Sequence, residues 1–232
     1  MTIRTYKPRR GRVTPRQAAA LAVNDGLLLP LDERPLDLDV LFTGHPVVLE
    51  IGFGTGAATV EMAAADPAIG ILAVDIHTPG VGDLVHRVRT MGLTNVRVIE
   101  GDALLVLRTM IPEGGLAGVR TFFPDPWPKA RHHKRRLVTA EHATLIGARC
   151  RPGATWHLAT DWAPYAEQMR DVLDAHPMWS GGVIDRPADR PITRYESFAI
   201  ADGRKITDLR YGRQPDHSSI VETGRGTNPA AR

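Results

Sequence analysis

Short, mostly apolar runs recur along the chain at Val47–Ile51, Ile69–Ile76, Val96–Ile99, Val119–Phe123 and Thr155–Thr160. Runs of this length, bounded by turn residues, read as strands buried on both faces. The intervening segments Ala57–Ala65, Val81–Met91, Ala103–Met110, Leu137–Cys150 and Trp162–His176 carry helical spacing or strong helix formers. Strand and helix therefore alternate, which predicts an α/β fold with a doubly wound, mostly parallel sheet. Ile206–Tyr211 adds a late strand. Ahead of the first strand, Thr14-Pro15-Arg16-Gln17 carries a capping-box pattern with proline at the first helical position, so a short helix is expected through Ala18–Val23. Residues 25–45, broken by Pro30, Pro35 and Gly44, read as a connection, and Gly181–Pro191 reads as turn-rich. The expected division is a basic arm and short helix over 1–24, a main domain over 25–212, and a disordered tail over 213–232.

Ligands of open α/β sheets bind outside the carboxyl ends of the strands. Glu50, Asp75, Asp102, Asp125 and Asp161 all fall at or beside such ends, so the sequence gathers carboxylates on one rim. Composition narrows the context. Hydrophobic residues make up 43% of the 232 and charged residues 24%, an ordinary soluble balance. The single cysteine, Cys150, excludes an internal disulfide framework, fits a reducing cytoplasm, and reads as a small buried residue closing a helix. No run approaches a membrane span, the basic opening lacks the apolar core of a signal peptide, and a cytoplasmic location is expected. The net charge of +3 says little, but its distribution says more. No acidic residue precedes Asp25, while Arg4, Lys7, Arg9, Arg10, Arg12 and Arg16 crowd the start.

The densest chemistry lies in Thr121–Arg136, Thr-Phe-Phe-Pro-Asp-Pro-Trp-Pro-Lys-Ala-Arg-His-His-Lys-Arg-Arg. Prolines at 124, 126 and 128 bias the preceding residues away from helix, so Phe123, Asp125 and Trp127 are expected to be extended. A carboxylate on a stiff segment thus leads directly into a cationic run that calls for a polyanion. His132 and His133 read as polar residues facing that polyanion, because no further Cys or His has ligand spacing; no metal site is expected. Trp127 has two readings, a rim aromatic stacking on a base or a residue packing the loop down.

Gly52-Phe53-Gly54-Thr55-Gly56 follows the first strand and opens a helix. Such a turn lets backbone approach a ligand closely, and Gly52-x-Gly54-x-x-Ala57 also fits a loose dinucleotide fingerprint. Glu50 tips the choice. A carboxylate there would repel a pyrophosphate but suits S-adenosylmethionine, which carries a sulfonium and an ammonium and no phosphate. Asp75 can accept ribose hydroxyls, and Asp102 lies where adenine would be read.

Leu49–Gly56, Asp75–Gly82, Gly101-Asp102-Ala103, Phe122–Arg136 and Thr193-Arg194-Tyr195-Glu196 together resemble the bacterial tRNA (guanine-N7-)-methyltransferases, from Arg4 to about Tyr211. Asp75 stands where that family more often has glutamate. The resemblance implies a Rossmann-like class I methyltransferase with a seven-stranded sheet and a late antiparallel strand, using S-adenosylmethionine to methylate N7 of the variable-loop guanine of tRNA. It assigns Glu50, Gly52, Gly54, Asp75, Asp102 and Asp125 to the methyl donor, with Asp125 also the catalytic candidate. It assigns Lys129, Asp161, Thr193, Arg194, Tyr195 and Glu196 to the substrate nucleotide. Arg131, His132, His133, Lys134, Arg135 and Arg136 are assigned to RNA. The alternatives are another S-adenosylmethionine-dependent amino-group methyltransferase, a NAD-dependent oxidoreductase, or a non-catalytic RNA-binding protein on the same fold.

Overall fold

The computed structural model describes residues 4–6 and 11–215. Its strands are β1 (Leu28–Leu29), β2 (Val47–Ile51), β3 (Gly70–Asp75), β4 (Val96–Glu100), β5 (Leu116–Phe122), β6 (Cys150–Thr160), β7 (Trp179–Ile184) and β8 (Thr207–Arg213). They form one eight-stranded sheet in the order β1-β4-β3-β2-β5-β6-β8-β7. Pairings from β1 through β6 are parallel, and β8 runs antiparallel to both β6 and β7. The order reverses at β2, whose neighbours are β3 on one side and β5 on the other, and such a switch point opens a crevice at the carboxyl ends.

The helices are α1 (Pro15–Leu21), α2 (Leu38–Leu41), α3 (Ala57–Ala65), α4 (Thr78–Met91), α5 (Ala103–Thr109), α6 (Ala140–Arg149), α7 (Ala163–Asp174) and α8 (Arg194–Ala201). Two apolar layers sandwich the sheet. One joins Val60, Met62, Val81, Leu84 and Val85 of α3 and α4 to Ile71 and Ala73. The other joins Leu104, Leu107, Ile146, Tyr165 and Met169 of α5, α6 and α7 to Leu49, Leu72 and Trp156. Alternate residues of a central strand therefore enter opposite cores, as Ile71 and Leu72 do, which is why these runs read as continuously apolar. Thr14 caps α1 with the reciprocal Gln17 bond the sequence indicates, and Arg16 ties α1 to Asp83 of α4 at 2.8 Å.

The structure departs from expectation in places where long-range pairing overrules local pattern. Residues 25–45 are not a bare connection: they hold α2 and the two-residue edge strand β1, which pairs with Val98 and Ile99 of β4 and brings the sheet to eight strands rather than seven. Two residues carry no periodicity of their own. Gly181–Pro191 is not all turn, because β7 occupies its first part. A Cβ on Gly181 would sit 2.1 Å from the Arg210 carbonyl, so its glycine serves close strand approach rather than a turn. The helix α8 had a sequence signature in Thr193 and Glu196, which form a complete capping box. β8 extends through Arg213, one residue into the expected tail, whose remainder from 216 lies outside the described residues, as do Lys7, Arg9 and Arg10 of the basic arm. Cys150 is buried at the α6–β6 junction, and burial pushes its thiol up to about 12, leaving it unreactive.

No helix among the described residues is long and apolar enough to cross a membrane. Below the crevice, Asn95 Nδ2 bonds the carbonyls of Ala63 at 3.0 Å and Ile69 at 2.9 Å, joining the end of α3 to the start of β3. Asn95→Ala should lower unfolding stability by about 1–3 kcal/mol, since it leaves buried acceptors unpaired. A urea unfolding titration measures the change.

Candidate functional site

Two adjoining cavities open at the carboxyl ends of β2 to β5. The first is lined by Gly52, Gly54, Asp75, Asp102, Asp125 and Tyr195, with Thr5 and Tyr6 of the N-terminal arm along its edge. The second is lined by Glu50, Phe53, Thr55, Phe122, Thr193, Arg194 and Phe198. Gly52, Gly54, His77, Phe123 and Tyr195 line both, so the glycine turn is their shared wall.

The turn is shaped by one carboxylate. Gly52, Gly54 and Gly56 all have positive φ, a region costly for side-chain-bearing residues. Asp75, at the end of β3, accepts the Gly54 N–H on Oδ2 at 2.9 Å and the His77 N–H on Oδ1 at 3.0 Å. It clamps the turn after β2 to the start of α4, and each oxygen retains a lone pair for a ligand hydroxyl. Asp102 caps α5 by accepting the Leu104 N–H at 2.9 Å while lining the first cavity, so cap and pocket residue are the same side chain.

Glu50 is buried at the edge of the second cavity, and its Oε2 has no hydrogen-bond partner among the described residues. Its counter-charge is Arg120, the register partner on β5. Burial pushes the Glu50 carboxyl up to about 7 from its ordinary 4.5, and Arg120 offsets only part of that.

The proline segment is more sharply folded than its prolines alone require. Phe123 and Trp127 are not extended; they adopt φ of 52° and 46°, in the left-handed region. A following proline disfavours the right-handed helical region, and the tertiary structure selects among the basins that remain. Phe123 N–H is fixed to the Ala159 carbonyl at 2.7 Å. Trp127 is buried, with Nε1 donating to the Thr5 carbonyl at 3.1 Å, His132 edge-on to its ring and the Arg135 guanidinium 4.9 Å from the ring centroid. Of its two readings, packing the loop down is the one observed. Asp125 lies between these strained positions and faces the first cavity.

Within the cationic run, Lys129, Arg131, His133 and Lys134 are exposed, on or beside a 3-10 helix over Ala130–Arg135. Arg136 corrects the expectation for the run's last member. It is 2% exposed, donates from Nε to the Pro126 carbonyl at 2.9 Å and from Nη1 to Gln168 Oε1 at 2.5 Å, and lies 4.8 Å from the Tyr165 ring centroid. It anchors the proline segment from inside rather than projecting with the exposed cations. Glu196 corrects a second expectation: 1% exposed and engaged by Arg190, Arg186 and the Thr193 cap, it lines neither cavity. Asp161 pairs with Arg204, and neither it nor Lys129 lines either cavity.

Three kinds of likeness bear on this site. A family model described as "Putative methyltransferase" matches residues 44–209. The tRNA (guanine-N(7)-)-methyltransferase of Streptomyces avermitilis is 54% identical over 218 residues, covering 91% of this chain and 75% of that protein. That of Streptomyces coelicolor is 51% identical over 223 residues, covering 91% and 81%. The Pseudomonas putida protein of the same name is 43% identical, covering 90% of each chain. The chain belongs to the tRNA (guanine-N7-)-methyltransferase family. Among solved structures, the 16S rRNA methyltransferase KamB shares the fold at a TM-score of 0.58 and 16% identity, over 78% of this chain and 95% of that one. The antibiotic-resistance methyltransferase Kmr does so at 0.53 and 15%, over 78% and 92%.

The family motifs supply most of both cavities. Thr5, Tyr6 and Phe198 line them as well and lie outside those motifs, while His77 lies inside one but was given no role from the sequence. The arm showed only its charge, since nothing local tells that residue 5 returns to residue 127. Phe198 had a faint signal, four residues after Arg194, whose guanidinium sits 5.6 Å from its ring centroid.

The raised carboxyl of Glu50 has a measurable consequence. The folded chain keeps a proton that the unfolded chain releases between 4.5 and about 7, so stability falls as pH rises through that window and the loss is complete above it. Glu50→Gln should therefore be more stable than wild type at about pH 8, by on the order of 1–3 kcal/mol, with little difference near about pH 4. Thermal unfolding at the two pH values reads this out.

Proposed function

We propose that the protein transfers a methyl group from S-adenosylmethionine to N7 of guanine in the variable loop of tRNA, in the cytoplasm, with the first cavity for the donor and the second for the base. The observation that carries this reading is the pairing of a carboxylate-lined cleft with an aromatic one across the glycine turn, in a chain 54% identical to a relative of that name. The residues fit the donor. Glu50, on the second cavity's side of the shared glycine turn, offers the donor's cationic end a buried oxygen with no hydrogen-bond partner among the described residues, Asp75 retains acceptor capacity for ribose hydroxyls, and Asp102 stands beside Gly101 and Ala103 in the first cavity. Bound there, S-adenosylmethionine supplies an electrophilic methyl group carried on a sulfonium.

Neutral guanine presents a lone pair at N7 and no proton, so no residue need act as a general base to make the nucleophile. Methylation leaves positive charge on the guanine ring. Asp125, fixed between Pro124 and Pro126, lines the first cavity next to Phe123 of the shared wall, from where it stabilises this charge across the junction of the two cavities, and its rigidity limits the reorganisation needed as charge develops. Phe123, Tyr195 and Phe198 offer flat surfaces to a splayed base, with Thr193 and Arg194 supplying polar contacts. In-line positioning then provides the larger part of the rate. Lys129, Arg131, His133 and Lys134 face the RNA backbone, His132 and Arg135 support them through Trp127, and Gly52 and Gly54 bring backbone against the donor. Asp161 acts from its Arg204 pair at the end of β6.

Incubation with tRNA and S-adenosylmethionine, followed by nuclease digestion and mass spectrometry, should yield 7-methylguanosine; N6-methyladenosine or no methylated base refutes the reading. Asp125→Ala should reduce kcat by about a hundredfold while changing tRNA affinity little, as expected when one charge-stabilising group is removed. Replacing Arg131 and Lys134 with Ala should weaken tRNA binding and lower its log–log salt slope by about 2, one unit for each phosphate that is no longer neutralised. Filter binding across a salt series checks the slope.

A further inference from the structure

The helix α8 carries part of the second cavity's wall but has almost no apolar anchor. Its buried residues are Glu196 and Ala199, while Tyr195, Phe198 and Ile200 are exposed. What holds it is ionic. Arg190, 2% exposed, grips Glu196 with both ends of its fork, Nη1 to Oε2 at 2.6 Å and Nη2 to Oε1 at 2.9 Å. The same guanidinium reaches Asp208 on β8: Nη2 donates to Oδ2 at 3.0 Å, while Nε lies 2.8 Å from Oδ1 as an ion-pair contact that is not aligned as a hydrogen bond. Asp208 Oδ1 also meets His157 Nε2 of β6 at 2.9 Å, and Arg186 Nε meets Glu196 Oε1 at 3.0 Å. Glu196 in turn closes the Thr193 capping box, its N–H donating to Thr193 Oγ1 at 3.1 Å.

This cluster reaches the second cavity by two routes. Through Glu196 it fixes Thr193 and the first turn of α8, where Arg194 and Tyr195 stand. Through Phe122 it touches the cavity floor: the ring lies 5.5 Å from the Arg190 guanidinium, with His157 edge-on at 5.0 Å. Apolar packing would tolerate sliding of a short helix, whereas a planar fork bonded to two carboxylates defines one orientation. A buried cluster of this kind is weak as a source of stability and better suited to specifying a geometry.

We propose that Arg190, Asp208 and His157 form a positioning device that holds Glu196, and with it Thr193, Arg194 and Tyr195, against the glycine turn. Glu196 is then a positioning residue acting through the wall of the base site, not a ligand of the nucleotide. The inference rests on reading the second cavity as the guanine site.

Three variants test it in the full chain: Glu196→Gln, Asp208→Asn and the double variant. Each is assayed for tRNA methylation at saturating S-adenosylmethionine, for S-adenosylhomocysteine affinity, and for amide hydrogen exchange across residues 194–201. Each single variant should fall about ten- to a hundredfold in kcat/KM for tRNA, as small misplacement of a reacting group does. Affinity for S-adenosylhomocysteine should stay within about twofold, exchange in α8 should accelerate, and the double variant should be no worse than the poorer single, because coupled residues act non-additively. A fall confined to Glu196→Gln, with Asp208→Asn at wild-type kinetics and exchange, means that Glu196 touches substrate and overturns the proposal. Additive effects in the double variant overturn it too. If Asp208→Asn does not fold, Asp208→Glu, which keeps the charge and shifts its place, is read the same way. A wild-type chain that makes no 7-methylguanosine defeats the functional reading, and the exchange data still decide whether the cluster holds α8.

Discussion

Both cavities depend on a single carboxylate whose bonds go mostly to backbone. Asp75 takes the N–H of Gly54 and the N–H of His77, tying the turn after β2 to the start of α4. Positive-φ glycines make the turn geometrically accessible, yet glycine is also the residue with most freedom to lose. Two charge-assisted bonds from one rigid strand end offset that freedom. The turn then stands as a fixed partition, with a carboxylate-lined space on one side and an aromatic one on the other.

A second constraint works on the proline segment. Two non-glycine residues in the left-handed region cost about 1–3 kcal/mol each and persist only where surroundings enforce them. The enforcement comes from three directions: the Ala159 carbonyl on Phe123, the Thr5 carbonyl on Trp127, and buried Arg136 on the Pro126 carbonyl. The segment accordingly divides its labour along its length. Asp125 faces the cleft, Trp127 and Arg136 are structural, and the exposed cations between them project from a 3-10 helix.

Charge is used in opposite ways inside and outside this molecule. At the surface, Lys129, Arg131 and Lys134 are exposed to solvent, where a charge acts at long range and is screened by salt. Inside, Arg136 and Arg190 are desolvated and bonded to carbonyls and carboxylates, where their value is direction. Glu50 is a third case, a buried acid left with an open oxygen at a cavity edge. Such a group lowers the stability of the fold once it is ionised.

Strand–helix alternation, the rim of carboxylates and the glycine turn were legible in the chain alone, because each is written in residues close together along it. Apolar runs of buried parallel strands and the Thr14 and Thr193 caps depend on neighbours a few positions away, so they too can be read without a structure. Which charges face outward was settled only by the folded arrangement. Arg135 and Arg136 are adjacent and chemically identical, yet one lies half-buried over the ring of buried Trp127 and the other is fully buried against Tyr165. Likewise Glu196 sits in the same motif as Tyr195 and points the other way, toward Arg190. Edge strand β1, the return of Thr5 to Trp127 and the left-handed turn at Phe123 share that origin. Each is set by a partner far away in sequence, and the energy that chooses the conformation is absent until that partner arrives.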